Sequence, residues 1–224
     1  MWRIAYQPIW DIVNQKVIAY EALMRPKDGR SPTEVLQAFR NEDQVVHLDH
    51  ALILHAMDEA VSLLKPNQLL MVNVEPETLK VTSFWQTWGL PLSVRQVVLE
   101  ITERASLEDI QLGLFRQLGI RLALDDFGTG MSNLLALERI RPAWIKMDRG
   151  FLSGHNEMGI LALMLGYCER IGTRLIVEGV EDESDMAFLK KVGARYAQGF
   201  YLGKPKCVEE YEKERMNTNV AYRN

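Results

Sequence analysis

The decapeptide RLALDDFGTG, residues 121–130, decides the fold of this chain. In it, an apolar run of strand length ends in two adjacent carboxylates, Asp125 and Asp126, and a glycine-rich turn follows. Two acids side by side at the end of a buried strand repel each other and resist the loss of water. The stretch therefore predicts a buried strand whose far end meets a positively charged partner.

Short apolar runs alternate with longer stretches of helical spacing along the rest of the chain. The predicted strands are 4–10, 16–21, 68–73, 96–101, 121–125, 144–147, 174–178 and 196–201. The predicted helices are 33–40, 45–64, 106–118, 132–140, 156–171 and 182–192. Gly119, Gly172 and Gly193 stand where a glycine commonly ends a helix.

Eight strands with mostly helical connections in 224 residues predict an α/β fold, a (β/α)8 TIM-like barrel. The first two strands are too close together for a helical crossover, so we expect an antiparallel first strand. One barrel domain over residues 1–217 and a flexible tail over 218–224 follow from this division.

Composition excludes several classes of protein. The net charge is −4 and no run of basic residues is present, so we expect no duplex nucleic acid as a partner. No segment combines the length and the lack of charge that a membrane span needs, and the N-terminus lacks a signal-peptide pattern. Cys168 and Cys207 are isolated, which is typical of reduced thiols and predicts a cytoplasmic protein.

Six predicted strands deliver a polar residue at or near their C-terminal end. These residues are Glu21, Asn73, Glu100, Asp125 with Asp126, Lys146 and Glu178. One acid after a strand is more often a helix N-cap or a turn residue. Polar residues at the ends of six successive strands favour a shared site instead, on the face where such barrels carry their active sites. Three of these residues are Glu, which caps helices poorly.

Five carboxylates on one face need more positive charge than a single lysine supplies. Oxygen ligands suit Mg²⁺ or Mn²⁺, and an adjacent Asp pair lets one carboxylate bridge two ions. Sites with two metals about 3.5–4 Å apart catalyse in-line attack on phosphate esters. The residues therefore predict metal-assisted hydrolysis of a phosphoester.

Seven short motifs in order then resemble a known family. They are YEALMR (20–25), VNVE (72–75), EITE (100–103), DDFGTG (125–130), IKMD (145–148), EGVE (178–181) and QGF (198–200). Over residues 6–205 the chain resembles the EAL-domain phosphodiesterases, which hydrolyse the bacterial messenger cyclic di-GMP to linear pGpG. The resemblance implies the same substrate and two Mg²⁺ or Mn²⁺ ions.

The resemblance also implies a role for each matching residue. Glu21, Asn73, Glu100 and Asp125 resemble ligands of the first metal, and Asp125, Asp126 and Glu178 resemble ligands of the second. Lys146 resembles the residue that orients the nucleophilic water, and Glu178 is also the candidate general base. Substrate contacts fall on Gln7, Arg25, Asp148, Glu181 and Gln198, and support of the loop after the Asp pair falls on Glu103, Gly128, Thr129 and Gly130.

Three positions depart from the family pattern. Pro26 replaces a usual Trp beside Arg25, Glu75 replaces a usual small residue, and Met131 replaces a usual aromatic residue. We expect changes in the substrate wall, the metal site and the loop packing, respectively.

Several alternatives stay open at this point. The chain is either an active phosphodiesterase, a catalytically silent receptor for the dinucleotide that acts through a partner, or a two-metal enzyme with another substrate. A homodimer through 132–140 or 156–171 is a further possibility. His47, His50 and His55 favour partly buried helix positions over a metal site, and Trp85 and Trp88 favour packing over base stacking.

Overall fold

A computed structural model describes residues 2–86, 96–102, 110–128, 134–155 and 158–221 of the chain. Its eight strands close into a barrel in which the order around the sheet follows the order along the chain. The first strand is antiparallel to both of its neighbours, and all other pairs are parallel. This confirms the predicted TIM-like barrel with an antiparallel first strand.

The strands match the predicted apolar runs, with two corrections. They are β1 (Trp2–Asp11), β2 (Lys16–Pro26), β3 (Leu69–Asn73), β4 (Val97–Thr102), β5 (Arg121–Phe127), β6 (Trp144–Met147), β7 (Arg174–Val177) and β8 (Tyr196–Ala197). The prediction that the second strand ends at Glu21 is wrong, because its antiparallel pairing with β1 continues to Pro26. The prediction of a strand over 196–201 is wrong after Ala197, because the backbone turns at 199–202.

Helices cover the outside of the barrel. They are α1 (Pro32–Asn41), α2 (Val45–Leu63), α3 (Pro76–Leu79), α4 (Thr82–Gln86), α5 (Leu112–Leu118), α6 (Leu134–Ile140), α7 (Met158–Ile171), α8 (Glu183–Val192) and α9 (Val208–Ala221). A 3₁₀ segment, Arg149–His155, follows β6. The short helices α3 and α4 were not predicted, because four or five residues carry too little periodicity to reveal a helix.

Local sequence fixes where several helices begin and end. Ser31 and Glu34 form a reciprocal capping box at the start of α1. The predicted glycine ends are confirmed: Gly119, Gly172 and Gly193 all have positive φ, between 72° and 80°. Each of these glycines ends a helix a few residues before the next strand, so it fixes where that strand can begin.

Inside the barrel, one apolar layer supports one polar layer. The apolar layer is formed by Ile9, Ala19, Met71, Val98, Ala123, Trp144 and Ile176, all 2% exposed or less. Side chains two residues apart on a strand point to the same face. The next inward positions are therefore polar: Gln7 on antiparallel β1, then Glu21, Asn73, Glu100, Asp125, Lys146 and Glu178.

The helical shell confirms the packing role of Trp85 and the partly buried positions of His50 and His55, whereas His47 is exposed. Trp85 is buried, donates its indole N–H to the carbonyl of Thr78 at 3.0 Å and lies edge-on to Phe115. His50 stacks on Phe84. Over the described part of the chain, no group of three potential metal ligands includes a histidine. Trp88 lies outside the described residues.

The C-terminal helix α9 runs to Ala221, so the backbone of 218–221 is helical where the sequence predicted the tail. Residues 222–224 lie outside the described residues, and the flexibility of the tail stays a prediction. Among the helices described, none has both the length and the apolar character that crossing a membrane requires.

Candidate active site

The polar layer of the barrel brings four acids around one lysine. Nζ of Lys146 lies 3.2 Å from Oε1 of Glu21, 3.2 Å from Oε1 of Glu100, 3.1 Å from Oδ1 of Asp125 and 2.9 Å from Oε1 of Glu178. The lysine side chain is 1% exposed. Burial lowers the pKa of the ammonium, but four surrounding carboxylates raise it well above its ordinary value. Lys146 is therefore charged in this cluster.

Among the four acids, Glu21 accepts the most hydrogen bonds from neighbouring side chains in the described ranges. Gln198 donates its side-chain N–H to Oε2 of Glu21 at 2.6 Å, and Asn73 donates to Oε1 at 3.4 Å. Burial raises the pKa of Glu21, but the charge of Lys146 and these hydrogen bonds lower it below its ordinary value. Glu21 is thus a fixed carboxylate in the floor of the site.

Glu100 is the opposite case. It is 1% exposed, and neither of its carboxylate oxygens accepts a hydrogen bond, although Lys146 lies within ion-pair distance. Burial is the main reason that the pKa of Glu100 lies well above its ordinary value. Repulsion by Glu21, Asp125 and Glu178 adds to the rise, and the charge of Lys146 opposes it. A buried carboxyl group without hydrogen bonds is costly, and a cation bound between the acids would satisfy it.

Glu178 directly follows β7 and lies at the mouth of the site. Burial raises its pKa to about 7, with Lys146 opposing and the charges of Asp125 and Glu21 adding to the rise. A carboxyl group with a pKa near neutral exchanges a proton readily under physiological conditions, as a general base must.

The acids form two groups that share one member. Ligand oxygens of Glu21, Glu100 and Asp125 lie within 4.8 Å of one another, and so do those of Asp125, Asp126 and Glu178. Asp126 is exposed and holds a positive φ of 55°, with its backbone N–H donating to Oδ1 of Asp125. All-oxygen groups of this kind fit Mg²⁺ or Mn²⁺. The residues present therefore fit hard divalent cations, and Asp125 belongs to both groups.

Two cavities flank the acids. One, of about 200 Å³, is lined on its polar side by Gln7, Glu21, Glu178, Glu181 and Gln198. Gln7 donates to the carbonyl of Gly203 at 3.2 Å, and the side-chain oxygen of Gln198 is buried without a hydrogen bond. Three of the predicted substrate contacts thus share one cavity with two of the clustered acids.

The other cavity, of about 220 Å³, lies beyond Asn73 between β2 and the helices α1 and α2. Arg25 lines it, and its guanidinium donates only to the carbonyl of Met24 among the described residues. No carboxylate in the described ranges pairs with Arg25, so its remaining donors are available to a phosphate group.

Other predicted residues lie near the site without lining these cavities. Asp148 accepts the backbone N–H of Gly150 at 2.7 Å and so caps the 3₁₀ segment. Gly128 has a φ of 102°, and a side chain there would overlap the ring of Phe151. Glu103, Thr129, Gly130 and Met131 lie outside the described residues.

The departure at Glu75 turns away from the acids. Its Oε2 pairs with Nη2 of Arg40 at 2.5 Å, and Glu77 pairs with the same guanidinium at 3.2 Å. Glu75 thereby joins the end of β3 to α1, and its charge is matched locally. Pro26 is the last residue of β2.

Sequence reasoning missed two residues of the site. Phe200 lines the cavity with Gln7 and Gln198 although it is 57% exposed. Gly199 passes so close to the backbone of Val180 that any Cβ would overlap it. The only local signal was the QGF motif itself, since close backbone approach leaves no periodicity in the sequence.

A comparison of the sequence with known protein families matches the EAL domain over residues 2–205. The chain belongs to the EAL domain family. This EAL domain is 30% identical to the probable cyclic di-GMP phosphodiesterase PdeN of Escherichia coli, with 93% of this chain and 44% of that protein covered. The chain thus spans less than half the length of that relative.

Solved structures agree with this placement. The domain is similar to Klebsiella pneumoniae BlrP1 in a complex with manganese and cyclic di-GMP, with a TM-score of 0.82 and 30% identity over 92% of this chain and 56% of that one. It is also similar to a standalone EAL protein from Vibrio cholerae in its cyclic di-GMP-bound form. There the TM-score is 0.76, with 25% identity over 93% of each chain.

Proposed function

We propose that this EAL domain is a phosphodiesterase that hydrolyses cyclic di-GMP to linear pGpG with two Mg²⁺ or Mn²⁺ ions. The observation that carries the proposal is the place of Asp125, whose carboxylate belongs to both groups of clustered acids. A carboxylate shared between two oxygen-rich groups suits a pair of divalent cations a few ångströms apart. The names of the relatives support the choice of cyclic di-GMP among phosphodiesters.

We assign Glu21, Asn73, Glu100 and Asp125 to the first ion, and Asp125, Asp126 and Glu178 to the second. The groups of acids support this division, with Asn73 placed beside Glu21 by its side-chain amide. When bound, two such ions polarise a phosphoryl group and acidify water.

Lys146 and Glu178 take the roles closest to the reaction. The ammonium of Lys146 is held in place by four acids, so it meets the incoming phosphate and the attacking water without reorganising. Glu178 accepts the proton of that water, because among the four clustered acids its carboxylate lies nearest to Nζ of Lys146.

Substrate binding falls on the two flanking cavities. Arg25 binds a phosphate of the dinucleotide with its unpaired guanidinium donors. Gln7, Glu181 and Gln198 contact the substrate from the other cavity, and Asp148, which directly precedes the 3₁₀ segment, is assigned to substrate binding with them. Glu103 and Gly128 to Gly130 position the loop that follows the Asp pair.

The test is a hydrolysis assay on cyclic di-GMP with Mg²⁺ or Mn²⁺ and a matching assay with EDTA. We expect pGpG only with metal, and we expect Glu21→Ala to abolish the product while Glu209→Ala, an exposed acid of α9, leaves it unchanged. Tight binding of cyclic di-GMP with metal but without any pGpG would instead make the domain a receptor. Hydrolysis of other cyclic dinucleotides at equal rates would show a broader substrate class.

We also propose that the domain forms a homodimer through α7. This helix exposes Ile160 and Leu163, which are 50% and 69% exposed, and two such faces would cover each other. Sedimentation of the wild type and of Leu163→Lys decides this, with a shift from dimer to monomer expected in the variant.

The two free cysteines favour a reducing compartment and support the proposed cytoplasmic location.

A further inference from the structure

A cavity of about 240 Å³ lies at the end of the barrel opposite the acid cluster. Arg121 is the first residue of β5 and Asp125 stands four residues further on, which separates the two ends by about 13 Å along the strand. The lining comes from the start of β5, the segment before β6 and the ends of α5, α6 and α7. This cavity therefore shares no residue with the site of the proposed function.

Arginines supply the charge of this cavity. Arg116, Arg121 and Arg141 line it, and Arg174 at the start of β7 is close enough to Arg121 for their charges to repel. In the described ranges, no carboxylate forms an ion pair with any of these four. The chain as a whole is acidic, with a net charge of −4. The described residues therefore place a surplus of positive charge at this end that no ion pair among them neutralises.

Arg141 is held in a conformation that arginine disfavours. It follows the last residue of α6 with a φ of 48°, in the left-handed region. Glycine occupies the left-handed position after α5, α7 and α8, at Gly119, Gly172 and Gly193. Arginine at 141 costs backbone energy that glycine would not, which favours a use for its guanidinium.

The remaining walls of the cavity are apolar. Phe115, Ile120, Leu122 and Ile140 line it and are buried. Arg116 donates from Nη2 to the carbonyl of Ile140 at 3.3 Å, which holds this arginine at the rim, and its other donors have no acceptor among the described residues. An apolar wall beside cationic groups does not suit a bare hydrated anion, but it suits an anion attached to a ring.

We propose that this cavity is a second ligand site that binds an organic phosphate the size of a mononucleotide. Arginine forks hold the phosphate oxygens in paired hydrogen bonds, and the ring lies against the apolar wall. The ligand leaves the catalytic acids untouched, because it lies at the other end of the barrel.

The test is calorimetric titration of the chain with GMP and, separately, with inorganic phosphate, both in EDTA at low salt. We expect GMP to bind at least tenfold more tightly than inorganic phosphate. The double variant Arg121→Gln and Arg141→Gln should weaken GMP binding at least tenfold. Lys213→Gln, an exposed position on α9 with the same loss of charge, should change it less than twofold.

Two further variants separate the possible explanations. Arg25→Gln removes only guanylate binding at the active-site end of the barrel, so the GMP binding that is lost in the double variant should persist in it. Arg141→Gly should weaken GMP binding while it raises the midpoint of thermal unfolding, a combination that a purely structural arginine would not produce. The inference is overturned by no GMP binding at millimolar concentration, by equal binding of inorganic phosphate, or by binding that depends on Arg25 rather than on Arg121 and Arg141. None of these outcomes depends on whether the active site hydrolyses cyclic di-GMP.

Discussion

Nζ of Lys146 lies 2.9 Å from Oε1 of Glu178, the shortest of its four contacts with carboxylates. The alternation of side chains along a strand explains this contact. Lys146 stands two residues after Trp144 of β6, and Glu178 stands two residues after Ile176 of β7. Because Trp144 and Ile176 belong to one apolar layer, the next inward positions face each other one layer higher. The apolar layer thus sets the position along the barrel axis at which the charged side chains meet.

Replacing Lys146 with Met tests the balance of charge in the cluster. We expect hydrolysis of cyclic di-GMP to fall by on the order of 10²–10³, as for the loss of one positioned charge. In EDTA, the free energy of unfolding should fall by about 3–5 kcal/mol, because buried acids lose their only cationic partner among the described residues. Hydrolysis kinetics and urea unfolding measure the two effects.

Mn²⁺ should raise the thermal midpoint of Lys146→Met more than that of the wild type, because the ions replace the missing positive charge. Lys213→Gln serves as the control for a lost exposed lysine. Unchanged stability of Lys146→Met in EDTA would show that the acids do not need the ammonium.

Asp49 makes the stability of the domain depend on pH. Its carboxylate accepts hydrogen bonds from the hydroxyl of Thr78 at 2.6 Å and from the backbone N–H of Glu75 at 2.8 Å. Burial is the main cause that raises its pKa from 3.8 to about 7. Since the folded state holds this proton and the unfolded state releases it, stability declines as pH rises from about 4 to about 7.

Asp49→Asn keeps an oxygen acceptor and removes the titration. Relative to the wild type, we expect its free energy of unfolding to improve by about 1.4 kcal/mol for each pH unit within that window. Urea unfolding at pH 5 and pH 7 measures the difference. Asp58→Asn, an exposed position of the same helix, should show no such trend, and a parallel trend in both variants would contradict the assignment to Asp49.

Gly199 is expected to tolerate no side chain. A Cβ added at Gly199 would lie within 2.6 Å of backbone atoms of Val180, which cannot move away as a flexible side chain could. Gly199→Ala should lower the free energy of unfolding by about 1–3 kcal/mol through overpacking. It should also reduce hydrolysis, because the preceding Gln198 is displaced from Glu21.

Gly166→Ala is the matched control for this change. Gly166 lies inside α7 with nothing within 4 Å of an added Cβ, so alanine should raise the free energy of unfolding by about 0.5–1 kcal/mol. Thermal unfolding of both variants measures this contrast, and equal effects would refute the close approach at Gly199.

Glu75→Ser restores the small residue usual in the family. Its partner Arg40 is 37% exposed on the side chain, and a pair this exposed contributes about 0–1 kcal/mol. We expect stability to fall within that range and kcat/KM for cyclic di-GMP to change less than twofold. Asn73→Ala, two residues earlier, should instead abolish most activity, and a large kinetic effect of Glu75→Ser would show that its charge reaches the metal site.

The sequence predicted most of this fold and site because each signal was local. The apolar runs gave the strands, and the glycines after α5, α7 and α8 gave the ends of those helices. The polar residue near the end of each run was visible for the same reason, since Glu100 and Asp125 each stand two residues before the last residue of their strands. The short β8 was overpredicted, because apolar residues occur again at 200–202 while the residue pairing with β7 and β1 ends at Ala197.

The arginine cavity shows the limit of that approach. Arg116, Arg121, Arg141 and Arg174 are separated by 5, 20 and 33 residues, so no basic run marks them. Only the closing of the barrel places the start of β5 beside the ends of α6 and α7.

By itself, the sequence of this protein determined which residues form strands, which strand ends are acidic and which family the motifs resemble, because strand pleat and helix caps depend on neighbours in the chain. The tertiary structure alone decided that Lys146 stands among four acids, that Glu75 turns to Arg40 and that Gly199 meets Val180. These are contacts between distant segments, and their geometry is set by the closure of the barrel and the packing of its layers.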